Sequence, residues 1–361
     1  MVEKGFSMCK HFIGGSWSRI SKKDFCIKTI TGGLSNLLYQ CSVSDKVETG
    51  EGEPRMVLLR IYGQIIQENT ETVVTDSVVF ALLAEKNMGP KLFGVFTGGR
   101  VEEYVPSRHL YTRELSDPEM SRQCATVMAR FHKLHMPLYK EPRWLFDIMT
   151  RYLDDALNNL TLSHANDVER AQLQKLISFN LAEEFQTLKF ILSQVESAVV
   201  FCHNDFQEGN LLVPNSPHKI QTGDIKIIPI DFEYSNYNFR GFDLGNHFCE
   251  WCYDYSVDED PYYSAVIDNY PDREQQLNFV RSYLKEYPED GQDVCQLEEH
   301  LLLEANTYAL ASHMMWGLWS IVQWQISTIK FKYLDYALVR FEHYFFQKAR
   351  LPSHLQTKRK V

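Results

Sequence analysis

The sequence predicts an α+β protein in two parts: a small antiparallel β-sheet with one main helix in residues 1–105, and a larger, mainly helical part in 106–361. Three observations carry this expectation. Up to about residue 105 the apolar residues alternate with polar ones in short runs broken by glycine-containing turns, the mark of half-buried strands. After Pro106 the apolar spacing changes to the threes and fours of amphipathic helices. The chain has 361 residues, 44% of them hydrophobic, which is enough to bury two cores.

The strands come first. Phe25–Ile30 alternates apolar and polar residues, Gly32-Gly33 follows, and 36–43 and 56–62 continue the strand pattern. The polar stretch 44–54, with two glycines and a proline, is a surface connection. A helix then places Val74, Val78, Leu82 and Leu83 on one face and stops at Met88-Gly89-Pro90. Strands at 91–96 and 100–105 flank the turn Thr97-Gly98-Gly99. Beyond them Asp117-Pro118 opens a helix as N-cap and first-turn proline, with Met120, Cys124, Val127, Met128, Phe131 and Leu134 along its apolar face. Further helical spacing covers about 143–160, 167–195, 274–286, 296–329 and 333–349, around an irregular strand region at 199–212 and 225–230. There is no internal repeat, and Lys358-Arg359-Lys360 reads as a frayed terminus.

Charge and composition exclude several functions. With 37 basic against 47 acidic side chains the net charge is −10, which argues against nucleic acid as a partner. The first 20 residues hold no apolar run of signal-peptide length, and the most apolar stretch, 308–329, is interrupted by His313, Gln323 and Gln325 and fails as a membrane span. Eight cysteines are too few for a disulfide scaffold and read as thiols of a cytoplasmic protein. Cys249 and Cys252 form a C-x-x-C without a second pair, so they read as thiols one helical turn apart rather than a zinc or redox site. The acidic excess is concentrated: residues 231–260 contain eight acids, one base (Arg240) and nine aromatics. Solvated acidic faces are rarely so aromatic.

The chemistry sits at the ends of apolar runs. Val199-Val200-Phe201-Cys202 leads into His203-Asn204-Asp205-Phe206-Gln207-Glu208-Gly209-Asn210, and Ile227-Ile228-Pro229-Ile230 delivers Asp231-Phe232-Glu233. An apolar strand ending in a carboxylate presents that carboxylate at the rim of a core. Phosphoryl transfer needs this set: one carboxylate to orient and deprotonate a hydroxyl, with an Asn and a second carboxylate to hold Mg²⁺. Protein kinases show the same spacing as H-R-D-x-x-x-x-N followed by D-F-G. Each residue alone could be a turn or cap; the ordered set is what points to a kinase.

The segments V-V-F-C-H-N-D-F-Q-E-G-N (199–210) and I-D-F-E-Y-S-N-Y-N-F-R-G-F-D-L-G-N-H-F-C-E-W (230–251) resemble the choline/ethanolamine kinase family, and the resemblance runs from I-T-G-G-L-S-N (30–36) to A-L-A-S-H-M-M-W-G-L-W-S-I-V-Q (309–323). It implies a two-lobed, protein-kinase-like fold with a nucleotide-binding lobe (1–105) and a catalytic, choline-binding lobe (106–361). It implies Asp205 as the base, Asn210 and Asp231 as metal ligands, and Glu233 as an aid to metal or substrate positioning. Gln207 stands where protein serine/threonine kinases carry Lys, which argues against a protein substrate and leaves it on the nucleotide side. Asp243 is expected to brace the catalytic loop. Gly33, Ser35 and Asn36, within Gly32-Gly33-Leu34-Ser35-Asn36, can cradle phosphates, although an ordinary hairpin turn reads the same way. Arg60, ending the strand Val57-Leu58-Leu59, becomes the α/β-phosphate ligand, braced by an acid on the next helix: Asp76 fits best, with Glu71 or Glu85 as alternatives. Glu103-Tyr104-Val105 becomes the hinge that pairs with adenine.

A quaternary ammonium has no hydrogen to donate and is best held by aromatic faces, with a carboxylate nearby. An aromatic stripe alone is more often core than cage; beside a kinase constellation and an acidic excess the balance tips. The resemblance points to Tyr234, Glu250, Tyr255, Trp316, Trp319, Phe331 and Tyr336 as the lining. The implied activity is ATP- and Mg²⁺-dependent choline phosphorylation feeding phospholipid synthesis, by a protein whose family often forms homodimers. An ethanolamine kinase, an aminoglycoside phosphotransferase and a non-catalytic kinase-fold scaffold are the rivals. The density of Trp and Tyr favours choline, and retention of Asp205, Asn210 and Asp231 disfavours the scaffold.

Overall fold

The computed structural model describes residues 1–30, 36–62, 70–160, 165–216, 225–289 and 293–356. In chain order α1 (Val2–Ile13) precedes β1 (Phe25–Ile30), β2 (Leu37–Val43), β3 (Met56–Ile61), α2 (Thr70–Glu85), β4 (Leu92–Phe96), β5 (Gly99–Glu103) and β6 (Ser107–His109). Next come α3 (Pro118–His132), α4 (Trp144–Asn158), α5 (Asp167–Ser178), α6 (Leu181–Leu192), β7 (Val199–Cys202), β8 (Leu211–Pro214), β9 (Ile228–Pro229) and β10 (Asn236–Phe239). The chain ends through α7 (Arg240–Glu250), β11 (Tyr253–Asp254), β12 (Ser264–Ala265), α8 (Arg273–Glu286), α9 (Val294–Ile326), α10 (Tyr333–Lys348) and α11 (Ser353–Gln356).

These elements form two compact units, Met1–Arg108 with Leu212–Glu233, and His109–Leu211 with Tyr234–Val361. A single cut at 105 therefore leaves out a return of the chain. Residues 212–233 go with the first unit because Leu212 and Ile228 pack with Val105 and Ile230, and Asn215 N–H donates to Pro106 O at 2.9 Å.

In the first unit five antiparallel strands run in the order β1-β2-β3-β5-β4. Their alternation buries Cys41, Val57, Leu59 and Val101 together with Cys9 and Trp17. The helix α1 was not legible in the sequence. Its buried residues are Gly5 and Cys9, four apart, which is too short a period to stand out. The α2 helix forms as expected but turns a different face inward: Asp76, Val79, Phe80 and Leu83 are buried while Val74 and Val78 are exposed. Asp76 is drawn inside by a buried arginine, described below. The helix stops at Asn87, whose φ of 55° takes the left-handed conformation, with Met88 N–H closing back on Leu83 O at 2.8 Å.

The second unit is a helical assembly around α9, a 33-residue helix buried nearly all round over its central turns, with α7 and α10 packed against it. No helix among the described residues is long and apolar enough to cross a membrane. Gly245 explains how α7 approaches so closely: a Cβ there would lie 2.5 Å from Ala305 O and Ala309 N. The α3 helix starts as read, with Asp117 accepting from Met120 N at 2.8 Å. The expected helix over 167–195 is two helices, α5 and α6, because Asn180 adopts φ 49° and breaks the run. Nor is β7 paired with a neighbour in sequence. It joins β10 antiparallel, Cys202 opposite Asn236, and this ribbon presents the loop that follows.

Candidate active site

The first unit concentrates charge beneath its sheet. Arg60 on β3 lies directly across from Arg100 on β5, a pairing that alone would repel. Glu102, diagonal to Arg60 on the same face, resolves it: one oxygen accepts from Arg60 Nε at 3.4 Å and the other from Arg100 Nε at 2.5 Å. Arg100 also pairs with Asp76 on α2, which accepts from Tyr62 OH at 2.9 Å. At the other end Arg60 donates to Asp231 at 3.0 Å. Burial by itself lowers the Arg60 pKa, but the Asp231 and Glu102 carboxylates outweigh it and hold the guanidinium above its ordinary value. Asp231 follows β9 in the left-handed region, φ 62°, a conformation Asp tolerates better than most residues. Two residues on, Glu233 accepts from Asn36 Nδ2 at 2.8 Å.

This corrects the expected brace of Arg60. Asp76 does not touch it, since its carboxylate belongs to Arg100 and Tyr62; Glu102 supplies the brace. Glu85 is exposed, and the Glu71 side chain, like Gly33 and Ser35, lies outside the described residues. At the expected hinge, Glu103 N–H already donates to Lys91 O at 2.8 Å, so that donor belongs to the sheet edge, while Val105 is buried with Leu212 and Ile228.

In the second unit the loop after β7 is held from below by Asp243 of α7, as expected of a brace. Its carboxylate accepts the backbone N–H groups of His203 (2.7 Å) and Asn204 (2.6 Å), and contacts His132 Nε2 at 3.0 Å. Asn204 turns the chain at φ 65°, with its amide donating to Tyr234 O at 2.9 Å. Asp205 is then presented half-buried. Asn210 donates through Nδ2 to the Asp205 carboxylate at 2.8 Å and to its backbone O at 3.0 Å, which turns the amide oxygen of Asn210 away from that contact. Gln207 uses its own amide oxygen locally, accepting from Gly209 N at 3.0 Å. His247 supports the loop from the other side, donating from Nδ1 to Phe206 O at 3.0 Å. Burial pulls its pKa down to about 4 against that hydrogen bond, so it is neutral at physiological pH. Next to the loop Glu208 is buried, and desolvation, reinforced by Glu250, pushes its pKa well up.

The expected cation-binding residues form a continuous run of rings within this unit. Centroids lie 5.5 Å apart for Tyr234–Trp316, 5.5 Å for Trp316–Trp319 and 6.0 Å for Trp319–Tyr333. The run goes on at 4.9 Å for Tyr333–Phe331, 5.4 Å for Phe331–Tyr336 and 6.1 Å for Tyr336–Tyr255. Glu250 closes it, accepting from Tyr255 OH at 2.9 Å. Asn246 of α7 fixes the first indole, accepting from Trp316 Nε1 at 2.8 Å. All seven residues are thus brought together, and Tyr333, which links the two halves, went unread although it stands three before Tyr336. Arg340 went unread too; it pairs with Glu250. Its signal was its place four residues after Tyr336, one turn along α10. Cys249 and Cys252 are buried free thiols one turn apart, as expected.

Comparison with known proteins agrees in family and fold. The family model described as Choline/ethanolamine kinase matches residues 27–345. The chain is 48% identical to a choline/ethanolamine kinase of Rattus norvegicus over 98% of this chain and 88% of that protein. It is 45% identical to choline kinase alpha of Mus musculus over 96% of this chain and 81% of that one. Among solved structures, a choline kinase from Cryptosporidium parvum superposes with a TM-score of 0.78 at 27% identity, covering 97% of this chain and 96% of its own.

Proposed function

This chain belongs to the choline/ethanolamine kinase family, and we propose that it acts as a choline kinase, transferring the γ-phosphate of ATP to the choline hydroxyl and releasing phosphocholine and ADP. The observation that carries the choline reading is the unbroken run of rings from Tyr234 to Tyr255. Aromatic faces attract a quaternary ammonium by roughly 0.5–2 kcal/mol each and require no hydrogen-bond donor from it.

The residues divide the work by chemistry. Asp205 orients the choline hydroxyl and takes its proton, and Asn210, by donating to that carboxylate, keeps it in a fixed rotamer. Asp243 keeps the loop backbone in place so that this geometry survives thermal motion. Arg60 grips phosphate oxygens, with Glu102 restraining its fork. Asn210 and Asp231 offer hard oxygen donors of the kind Mg²⁺ takes, and the ion when bound offsets negative charge on the phosphates. Glu233 keeps Asn36 oriented at the start of β2 for the nucleotide, alongside Gly33 and Ser35. Glu103, Val105 and Gln207 complete the nucleotide side. The reading extends to a cytoplasmic, homodimeric enzyme of phospholipid synthesis.

The test is ADP release by the purified chain with ATP, Mg²⁺ and, in turn, choline, ethanolamine and an aminoglycoside. Choline is expected to give the highest kcat/KM, and ethanolamine weaker turnover. Turnover with ethanolamine but not choline, or with neither, would overturn the reading.

A further inference from the structure

The carboxylate expected to meet the substrate cation is not available as a simple anion. Glu250 is 2% exposed and Arg340 1%. Arg340 Nη2 donates to one Glu250 oxygen, and Tyr255 OH donates to the other at 2.9 Å. Arg340 Nε donates to Tyr336 OH at 2.7 Å, and the two tyrosine hydroxyls are 2.7 Å apart. These contacts fix every proton. A phenol has one O–H. Since Tyr255 gives its proton to Glu250, it must accept from Tyr336, which in turn accepts from Arg340. The result is a closed cycle, Arg340 to Tyr336 to Tyr255 to Glu250 and back to Arg340. Its guanidinium also lies 3.8 Å from the Tyr253 ring centroid, with Nη1 3.5 Å from His313 Nδ1.

From this cycle we infer that Arg340 is a positioning residue that sets the choice between quaternary and primary ammonium substrates, by locking Glu250 and the two phenols to one another. The inference rests on the choline kinase reading and deepens it. A primary ammonium entering this wall brings three N–H donors that need acceptors, and leaving them unmet is costly. The cycle has engaged both carboxylate oxygens and both hydroxyls, and the ion pair is neutral as a whole. A quaternary ammonium has no donor to satisfy, so ring faces suffice. Without Arg340, Glu250 becomes an acceptor and a bare anion, which helps the primary ammonium more than the quaternary one.

The experiment measures kcat and KM for choline and ethanolamine in the native enzyme, Arg340→Met, Arg340→Lys and the double variant Arg340→Met with Glu250→Gln. In Arg340→Met the ratio of kcat/KM for choline to that for ethanolamine is expected to fall about tenfold, through a lower KM for ethanolamine and a higher KM for choline. Adding Glu250→Gln removes the freed anion and restores the ratio to within about threefold of native. A purely structural role would shift both substrates alike, and that outcome, or a ratio that the double variant leaves depressed, overturns the inference. Arg340→Lys keeps charge without the fork and is expected between native and Arg340→Met. Should the variants not fold, the native enzyme still decides. Tetramethylammonium is expected to compete with choline at least tenfold better than methylammonium, and equal inhibition overturns the inference. Native turnover with neither alcohol would instead fail the choline kinase reading itself, a distinguishable result.

Discussion

The charged line of the first unit and the ring-lined ion pair of the second bury charge in opposite ways. In the first, charges are surrounded by charges: Asp76, Arg100, Glu102 and Arg60 alternate in sign along one buried line that ends at the half-buried Asp231. In the second, the ion pair of Arg340 with Glu250 is surrounded by aromatic rings. On the proposed function the difference follows from what each would hold. A guanidinium meant for phosphate must stay charged and aimed, which carboxylates achieve. A wall meant for a soft cation must be electron-rich without being strongly anionic, which rings around a neutralised pair achieve. Either arrangement is costly to half-dismantle, because a buried ion stripped of its partner stays desolvated.

The largest expected effect stands outside both the charged line and the ring-lined pair and sets the scale for them. Asp205→Ala should lower kcat by on the order of 10²–10⁴ while choline still binds, as read by steady-state kinetics and a binding titration. Unchanged turnover would remove Asp205 as the base. Next comes the charged line. Arg100→Met leaves Asp76 and Glu102 without their shared partner and should cost roughly 3–5 kcal/mol in urea unfolding, with KM for ATP raised through a loosened Arg60. A loss below about 1 kcal/mol would show that the line is not held together by its charges.

The second unit carries a different sensitivity, to acid. Burial pulls His247 and His343 down to about 4, and His313 well below its ordinary value. The unfolded chain therefore binds protons that the native one does not between pH 6.5 and about 4, so stability falls as pH falls through that window. Above pH 6.5 these groups are neutral in both states and contribute no slope. His247→Gln should flatten the decline by up to about 3 kcal/mol in unfolding measurements across that range, and an unchanged slope would contradict the neutral buried imidazole. The smallest effect tests the rings. Trp316→Ala should raise KM for choline by roughly 2–30-fold, and for ethanolamine by less. Equal rises would argue that the indole is packing rather than recognition.

Much of the candidate site's arrangement was legible because its spacing is local. Asp205 and Asn210 are five residues apart on one loop, Asp231 ends an apolar run, and Trp316 and Trp319 share a helix face; short chain distances constrain where such side chains can point. The partner of Arg60 was not legible. It depends on the β3–β5 register, which sets Arg100 opposite Arg60 and leaves Glu102 on the diagonal. The buried face of α2 was misread for the same reason, since Asp76 is inside only because Arg100 is there to meet it. The break at Asn180 is milder: Asn is permitted in a helix, and only the observed φ of 49° distinguishes a stop from a continuation.

By itself the sequence determined the α+β character, the order of strands before helices and the chemical type of the site, because alternation, capping and the ends of apolar runs act over a few residues. Only the tertiary structure decided which charges neutralise which. Glu250 and Arg340 are 90 residues apart, and their cycle with Tyr255 and Tyr336 exists because α7 and α10 both pack on α9. Pairing across such distances costs chain entropy that the packing of whole elements must offset. The acid-rich, aromatic segment 231–260 suggested a cation site without revealing that Glu250, the carboxylate proposed for it, is already matched by Arg340.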